Sequence, residues 1–368
     1  MVVPLRLART LSGYIARQFL SWFGGVFAAM LVIIFLLDYI ELLRRGASKP
    51  EATLGRLLEM AALKLPHMAQ EVMPFAILFG TMMAFWRLTR SNELVVARAS
   101  GVSAWQFLTP AVISALLIGI AAVTIFNPIA SATQTAYEAL EARILRGGGD
   151  QFAVFRSGLW LREADEQGNL SVIHADRMSG NVALENVTIL FFRGADQFIG
   201  RVDAPQARLE PGYWRLSGGW RWRQSSGSTP FDDLSVPTGF TPLKIRESFA
   251  SPETMSFWKL PGFIRLLEDS GFSAQRHRLY FNGLLARPFL LCAMVLIAAT
   301  FSLRMQRRGG TTVMIMAGVL TGFLLYFLSD VVFAFGLSAT IPVALAAWTP
   351  AGVCLLLGTS LLLHLEDG

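Results

Sequence analysis

Six apolar blocks punctuate this chain, three before a long stretch of different character and three after it. They run over about 17–40, 63–86, 104–127, 279–303, 311–335 and 343–364. Each supplies the roughly 20 apolar residues that a helix needs to cross a bilayer core. Between the third and fourth blocks the period changes. A polar helical pattern carrying Tyr137, Glu138, Glu141, Arg143 and Arg146 runs into Gly147 to Gly149, which read as a linker. Short segments then alternate apolar and polar residues: Leu159–Arg162, Leu170–Ala175, Val187–Phe192, Gln206–Glu210, Tyr213–Leu216 and Trp220–Arg223. Turn residues such as Asp165, Gly168, Asn169 and Pro211-Gly212 separate them. A period of two broken by frequent turns predicts antiparallel strands of a sandwich or jelly roll. Residues 261–271 predict a short amphipathic helix leading back to the membrane.

The expected fold is therefore an α-helical membrane protein with six transmembrane helices and one antiparallel β-jellyroll-like domain inserted between helices 3 and 4. The expected divisions are 1–128, 129–275 and 276–368, with a small helix at 91–101 between the second and third spans. Composition agrees: of 368 residues 53% are hydrophobic and 16% charged, too apolar a balance for a soluble chain of this size. The first apolar block is long and no small-residue cleavage site follows it, so it reads as a retained span and not a signal peptide.

Basic residues set the expected orientation. Arg6, Arg9 and Arg17 precede the first span, Arg87, Arg90 and Arg98 lie between the second and third, and Arg304, Arg307 and Arg308 between the fourth and fifth. Positive charge is retained on the cytoplasmic side, which places both termini inside and the β domain in the periplasm. Arg44, Arg45, Lys49 and Arg56 then fall outside, against that trend. Two readings stand: an anionic ligand at the outer leaflet, or pairing with Asp38, Glu41, Glu51 and Glu59 on the same segment. Pro66 and Pro74 should bend the second span, with Glu71 between them near enough to the interface to be solvated, and Asn127-Pro128 should close the third.

The net charge of +6 is spread along membrane boundaries and does not argue for nucleic acid. Cys292 and Cys354 lie in apolar blocks and offer no disulfide framework or zinc site. No phosphate loop, H-E-x-x-H, G-x-S-x-G or C-x-x-C motif occurs, and His67 and His174 stand alone, as structural histidines usually do. These absences favour a non-catalytic chain with no cofactor of its own. The most informative stretch is Trp86 to Gly101. Ser91 or Asn92 can cap a helix, Glu93 suits its first turn, Arg98 its last, and Gly101 the position just past its end. Val95, Ala99 and Val102 would form one apolar edge. Such a helix can pass force between a soluble partner and the bilayer, or it is an ordinary helical connection.

Asn92-Glu93-Leu94-Val95-Val96-Ala97-Arg98-Ala99-Ser100-Gly101 resembles the S-E-L-V-V-x-x-A-S-G coupling helix of the LptF/LptG family of lipopolysaccharide export permeases, with Asn92 in place of the usual serine. The proline pair with Gly80, Gly158-Leu159-Trp160 and the three-span, β-domain, three-span layout are similar to that family as well. Tyr326, Asp330, Ile341-Pro342 and Pro350 look like its LptG branch. The resemblance implies a permease subunit of an inner-membrane ABC transporter. Its partners would be an LptF-type paralogue, an LptB-type ATPase dimer that binds ATP and magnesium, an LptC-type single-span protein and a periplasmic LptA-type bridge. Lipopolysaccharide would be extracted from the outer leaflet and passed along that bridge. By the same resemblance Glu93 would meet a basic residue of the ATPase, with Arg90, Leu94, Val95 and Arg98 completing the dock. Arg44 and Arg45 would hold lipid A phosphates, with Arg143 and Arg146 as substitutes for arginines missing after the third span. Asp38 stands where the family has another basic residue. The alternatives are an LptF-type subunit, or a non-transporting membrane scaffold for periplasmic β domains.

Overall fold

The computed structural model describes residues 5–49, 51–99, 101–145, 159–164, 170–179, 183–193, 197–223, 227–240, 251–269, 273–302 and 311–367. The expected linker Gly147–Gly149, the turn with Asp165, Gly168 and Asn169, the basic turn Arg304–Gly310, and Arg146 lie outside the described residues. The chain folds as two compact units, one of Met1–Glu138, Glu253–Leu260 and Gln275–Gly368, the other of Ala139–Pro252 and Pro261–Ala274.

The first unit is helical. Its elements are α1 (Leu5–Gly46), α2 (Leu54–Arg90), α3 (Glu93–Ala99), α4 (Ala104–Ala121), the start of α5 (Asn127–Ile144), α7 (Gln275–Ser302), α8 (Thr311–Leu337) and α9 (Val343–Asp367). Among the described residues, six helical stretches are long and apolar enough to cross a membrane: Thr10–Gly46, Leu54–Arg90, Ala104–Ile144, Gln275–Ser302, Met316–Leu337 and Val343–His364. α7 is the enclosed one, with Leu291 to Thr300 buried without a break. By contrast α8 shows Met316, Phe323 and Phe327 at 63%, 64% and 59% exposure. In a bilayer those side chains meet hydrocarbon, so their exposure carries no penalty and the helix needs no polar face. Close helix approach depends on small residues. A Cβ on Gly80 would stand 2.7 Å from the Phe23 Cα, and one on Gly119 would stand 2.5 Å from the Pro288 Cα.

Buried hydroxyls are satisfied within their own helices, because no water is available at that depth. Thr81 donates to the Ile77 carbonyl (2.6 Å), Thr300 to Ile297 (2.7 Å) and Ser302 to Ala298 (2.9 Å). Pro66 and Pro74 lie inside the continuous helix α2.

The helix of the third span does not stop at Asn127-Pro128 but runs on from Ala104 to Ile144 through a π-helical turn at Ala122–Phe126, and the polar helix expected around Tyr137 and Glu141 is its extension. Residues further along the chain bond to this turn, one at a backbone carbonyl and one at a side-chain oxygen. Trp258 Nε1 donates to the Thr124 carbonyl (3.0 Å), and the buried Asn127 Oδ1 accepts from the Phe257 N–H (2.8 Å). Pro128 has no N–H to offer the Thr124 carbonyl four residues back, and Trp258 supplies a donor in its place.

The second unit is built on one antiparallel sheet. Strands β1 (Leu159–Ala164), β2 (Leu170–Ser179), β3 (Ala183–Arg193), β4 (Gln197–Glu210), β5 (Tyr213–Arg223) and β6 (Gly227–Pro237) lie side by side in chain order. The antiparallel domain expected between the third and fourth spans is thus present. Among the described residues its strands form a meander, each paired with its neighbours in sequence. Pro211-Gly212 is a two-residue turn between β4 and β5, with Gly212 at φ +86°, a conformation glycine adopts without strain. One face buries Ile173, Leu184, Val187, Ile189, Val202, Trp214 and Leu216. On β4 the buried positions are Gly200, Val202 and Ala204, then Ala207 and Leu209, a phase slip that lets one long strand keep its apolar residues inside. The Glu163 carboxylate joins the first strand to the chain beyond the last: it accepts from Thr238 Oγ1 (2.7 Å) and from the Gly239 N–H. The expected amphipathic helix is α6 (Leu260–Asp269).

Candidate functional site

The polar connection between the second and third spans is built from consecutive caps. Ser91 closes α2: its N–H donates to the Arg87 carbonyl (2.9 Å). Asn92 takes the left-handed conformation, φ +58°, which asparagine tolerates better than most residues. It turns the chain sharply, and its carbonyl accepts the first bond of α3 from the Val96 N–H (3.1 Å). At the far end Gly101, φ +87°, follows the helix as expected, and the Val102 N–H reaches back to the Ala97 carbonyl (3.2 Å). That is the six-to-one bond of a glycine-terminated helix. Ser103 then opens α4 with a capping box, exchanging bonds with Gln106 (3.3 Å each). Among the described residues these bonds join α3 to the spans on either side of it.

Glu93 is the first residue of α3 and is exposed, where the dipole of the free N–H groups favours its charge. Its carboxylate accepts from Ser91 Oγ (2.8 Å). Arg90 is exposed on the last turn of α2, its guanidinium 5.3 Å from the centroid of the Trp86 ring. Leu94 corrects the sequence expectation. It is 5% exposed and belongs to the main core with Ile15, Phe85, Leu88 and Phe107, so it anchors α3 and is not part of an outward docking face. Val96, which the sequence reading passed over, is 68% exposed beside Glu93. Ala99, expected on an apolar edge with Val95 and Val102, is exposed. Val95 and Arg98 lie in α3, but their side chains fall outside the described residues.

At the other end of α1, Arg44 and Arg45 occupy the last turn, with side chains 78% and 53% exposed. Both pair with Glu41: Arg44 through Nε and Nη2 (2.8 and 2.9 Å), Arg45 through Nε (2.8 Å). One carboxylate shared by two guanidinium groups leaves a net positive helix end, and planar donors of this kind suit phosphate oxygens. Asp38, one turn earlier, pairs with Lys64 of α2, whose ammonium also lies 5.5 Å from the centroid of the Tyr137 ring. The basic group at this level therefore comes from α2 and not from α1. Arg143 is exposed in the last turn of α5 and belongs to the second unit.

Glu71 is half exposed, as a solvated carboxylate should be, and it also has an ionic partner. It pairs with Arg287 of α7 (2.9 Å), whose other nitrogen donates to the buried Gln70 Oε1 (3.2 Å). The only sequence signal for this pair is the two ionisable residues within apolar blocks, which seldom stand unpaired in a bilayer.

Among the described residues, six long apolar helices, a short polar helix between the second and third, and an antiparallel sheet domain between the third and fourth in sequence fit a helical membrane permease. The sequence model described as lipopolysaccharide export system permease LptF/LptG matches residues 13–364, and the chain belongs to that family. It is similar to the LptG protein of Haemophilus influenzae, 22% identical over 365 residues, covering 94% of this chain and 96% of that one. It is likewise similar to LptG of Escherichia coli K12, 23% identical over 353 residues, covering 92% and 96%.

Proposed function

We propose that this chain is the LptG-type permease subunit of an inner-membrane ABC transporter that extracts lipopolysaccharide from the outer leaflet. The substrate then passes to a periplasmic bridge toward the outer membrane. An LptF-type permease is its paralogous partner, and an LptB-type ATPase dimer binds ATP and magnesium and performs the hydrolysis. LptC-type and LptA-type proteins carry the bridge onward. Both termini lie in the cytoplasm and the sheet domain in the periplasm.

The observation that carries this reading is the geometry of α3. A seven-residue helix cannot pass force if it frays, and this one is closed by the Val102 to Ala97 bond at its C-terminal end, joined to two spans and anchored by Leu94. Its outward features are a carboxylate at the positive end of the helix and an exposed valine beside it. A basic groove on the ATPase is the natural complement, because an exposed Glu93 keeps acceptor sites for a guanidinium. At the opposite end of the same bundle, Arg44 and Arg45 are the groups to hold lipid A phosphates once the substrate displaces or shares Glu41.

The test is capture of the ATPase by wild type and by Glu93→Ala, each co-expressed with the paralogous permease. Wild type should retain the ATPase and show lipopolysaccharide-stimulated hydrolysis, and the variant should lose one or both. Absence of any ATPase on wild type, in every lipid tried, would leave the scaffold reading in its place.

A further inference from the structure

The third span is a long rod with a weak point in it. It follows α3, runs helically from Ala104 to Ile144, and passes into the second unit beyond Glu138. Helices bend sharply at π-helical turns and at prolines, and here the two adjoin, at Ala122–Phe126 and Pro128. Pro128 also leaves the Thr124 carbonyl without its usual donor. A rod so built, standing alone, would take up a push as a bend.

The weak point does not stand alone. The chain leaves the second unit at Pro252, belongs to the first over Glu253–Leu260, and returns to the second at Pro261. From this stitch the Phe257 N–H donates to Asn127 Oδ1 (2.8 Å), and Trp258 Nε1 donates to the Thr124 carbonyl (3.0 Å). Asn127 Nδ2 in turn donates to the Tyr280 hydroxyl of α7 (3.4 Å). The Phe257 ring stacks on Phe281 of α7, 5.4 Å between centroids, and Val123 of the π turn is buried with Leu260 and Leu284. Asn127 is 1% exposed with its oxygen and its nitrogen both engaged, so one side chain fixes the π turn, the stitch and α7 against one another. A buried amide satisfied at both ends rigidifies its surroundings and specifies one arrangement of them.

We propose that Asn127 and Trp258 are positioning residues for transport, bracing the third span so that a displacement of α3 is carried along it to the sheet domain and is not lost as a bend at the π turn. This rests on the coupling reading of α3 and extends it to the far end of the same span.

The experiment uses the full chain with its paralogous permease and the ATPase in lipid nanodiscs. Nitroxide labels at Ile113→Cys and Ala136→Cys, exposed positions on either side of the π turn, lie about 35 Å apart along a straight helix and report its bending by dipolar spectroscopy; the native Cys292 and Cys354 are buried. Unlabelled samples with the LptC-type protein and a soluble LptA-type acceptor give lipopolysaccharide transferred per ATP hydrolysed. Asn127→Ala should raise the population outside the main distance peak roughly tenfold, the order expected when buried polar groups lose a partner. Transfer per ATP should fall with it while the ATPase is still captured. Trp258→Phe, which keeps an aromatic ring and removes the donor, should act the same way more weakly. Pro128→Ala should restore Trp258→Phe, because it returns a backbone N–H to the Thr124 carbonyl. A wild-type distance distribution in Asn127→Ala, or a broadened one with unchanged transfer per ATP, overturns the proposal. So does failure of Pro128→Ala to restore Trp258→Phe, the comparison that decides alone if Asn127→Ala does not assemble. If wild type itself shows no lipopolysaccharide-stimulated hydrolysis, the coupling reading falls and the brace falls with it.

Discussion

Replacing Leu94 with alanine separates the anchoring face of α3 from its outward face. Leu94 is 5% exposed within a cluster that includes Phe85, Leu88 and Phe107. Alanine there removes most of a buried side chain and leaves a cavity, which costs about 2–3 kcal/mol, the lower part of the usual range because α3 lies at the end of the bundle and can partly collapse. Since 1.4 kcal/mol is a factor of ten, the ratio of seated to unseated α3 should fall roughly 30- to 150-fold. The helix has no other reserve, because seven residues are far too few to stay helical unaided. Hydrogen exchange on a peptide spanning 88–103, measured in the full chain with its paralogous permease, reads that ratio directly. Protection should drop by the same factor in Leu94→Ala. In Val96→Ala, at a position 68% exposed, protection should stay within about twofold while ATPase capture weakens. Unchanged protection in Leu94→Ala, or an equal loss in Val96→Ala, would refute the assignment of faces.

Two further outcomes follow from the ion pairs. Lys64→Ala strips the half-buried Asp38 of its cation and should lower thermal stability in detergent by about 1–3 kcal/mol, whereas the double variant with Asp38→Asn should recover much of it; equal losses in single and double variants would exclude the pairing. In the sheet domain, the hydrogen bond from Arg215 holds the Asp233 carboxyl below its ordinary range. A carboxyl whose folded value is depressed contributes stability that is fully present above its unfolded value and disappears as pH falls through the folded one. Asp233→Asn should therefore speed limited proteolysis of the sheet at pH 7 and change nothing near pH 2.

Some of this molecule could be read directly from the chain. The six spans follow from uninterrupted apolar length, the strands from period-two alternation, and the boundaries of α3 from residues that cap it whatever packs against them. Glu93 at the start of α3 and Gly101 past its end are decisions taken within one turn, so sequence suffices for them. The side that α3 turns inward is another matter. Leu94, Val95 and Val96 are all apolar, and only the positions of Ile15, Phe85 and Phe107 make Leu94 the buried one.

Ionic partners divide the same way. Arg44 and Arg45 bind Glu41 three and four residues back, a pairing that helical geometry allows and that the sequence reading raised as one of two possibilities. Asp38 with Lys64 and Glu71 with Arg287 join different helices, 26 and 216 residues apart, and depend on the axial register of those helices. That register comes from close contacts such as Gly80 on Phe23 and Gly119 on Pro288. The continuation of the helix past Asn127-Pro128 has the same origin, since the Thr124 carbonyl and the Asn127 side chain find their donors in Trp258 and Phe257, about 130 residues further on. Patterning and capping are local free energies and are written in the sequence; partners for buried charges and for displaced backbone groups exist only once the helices have packed.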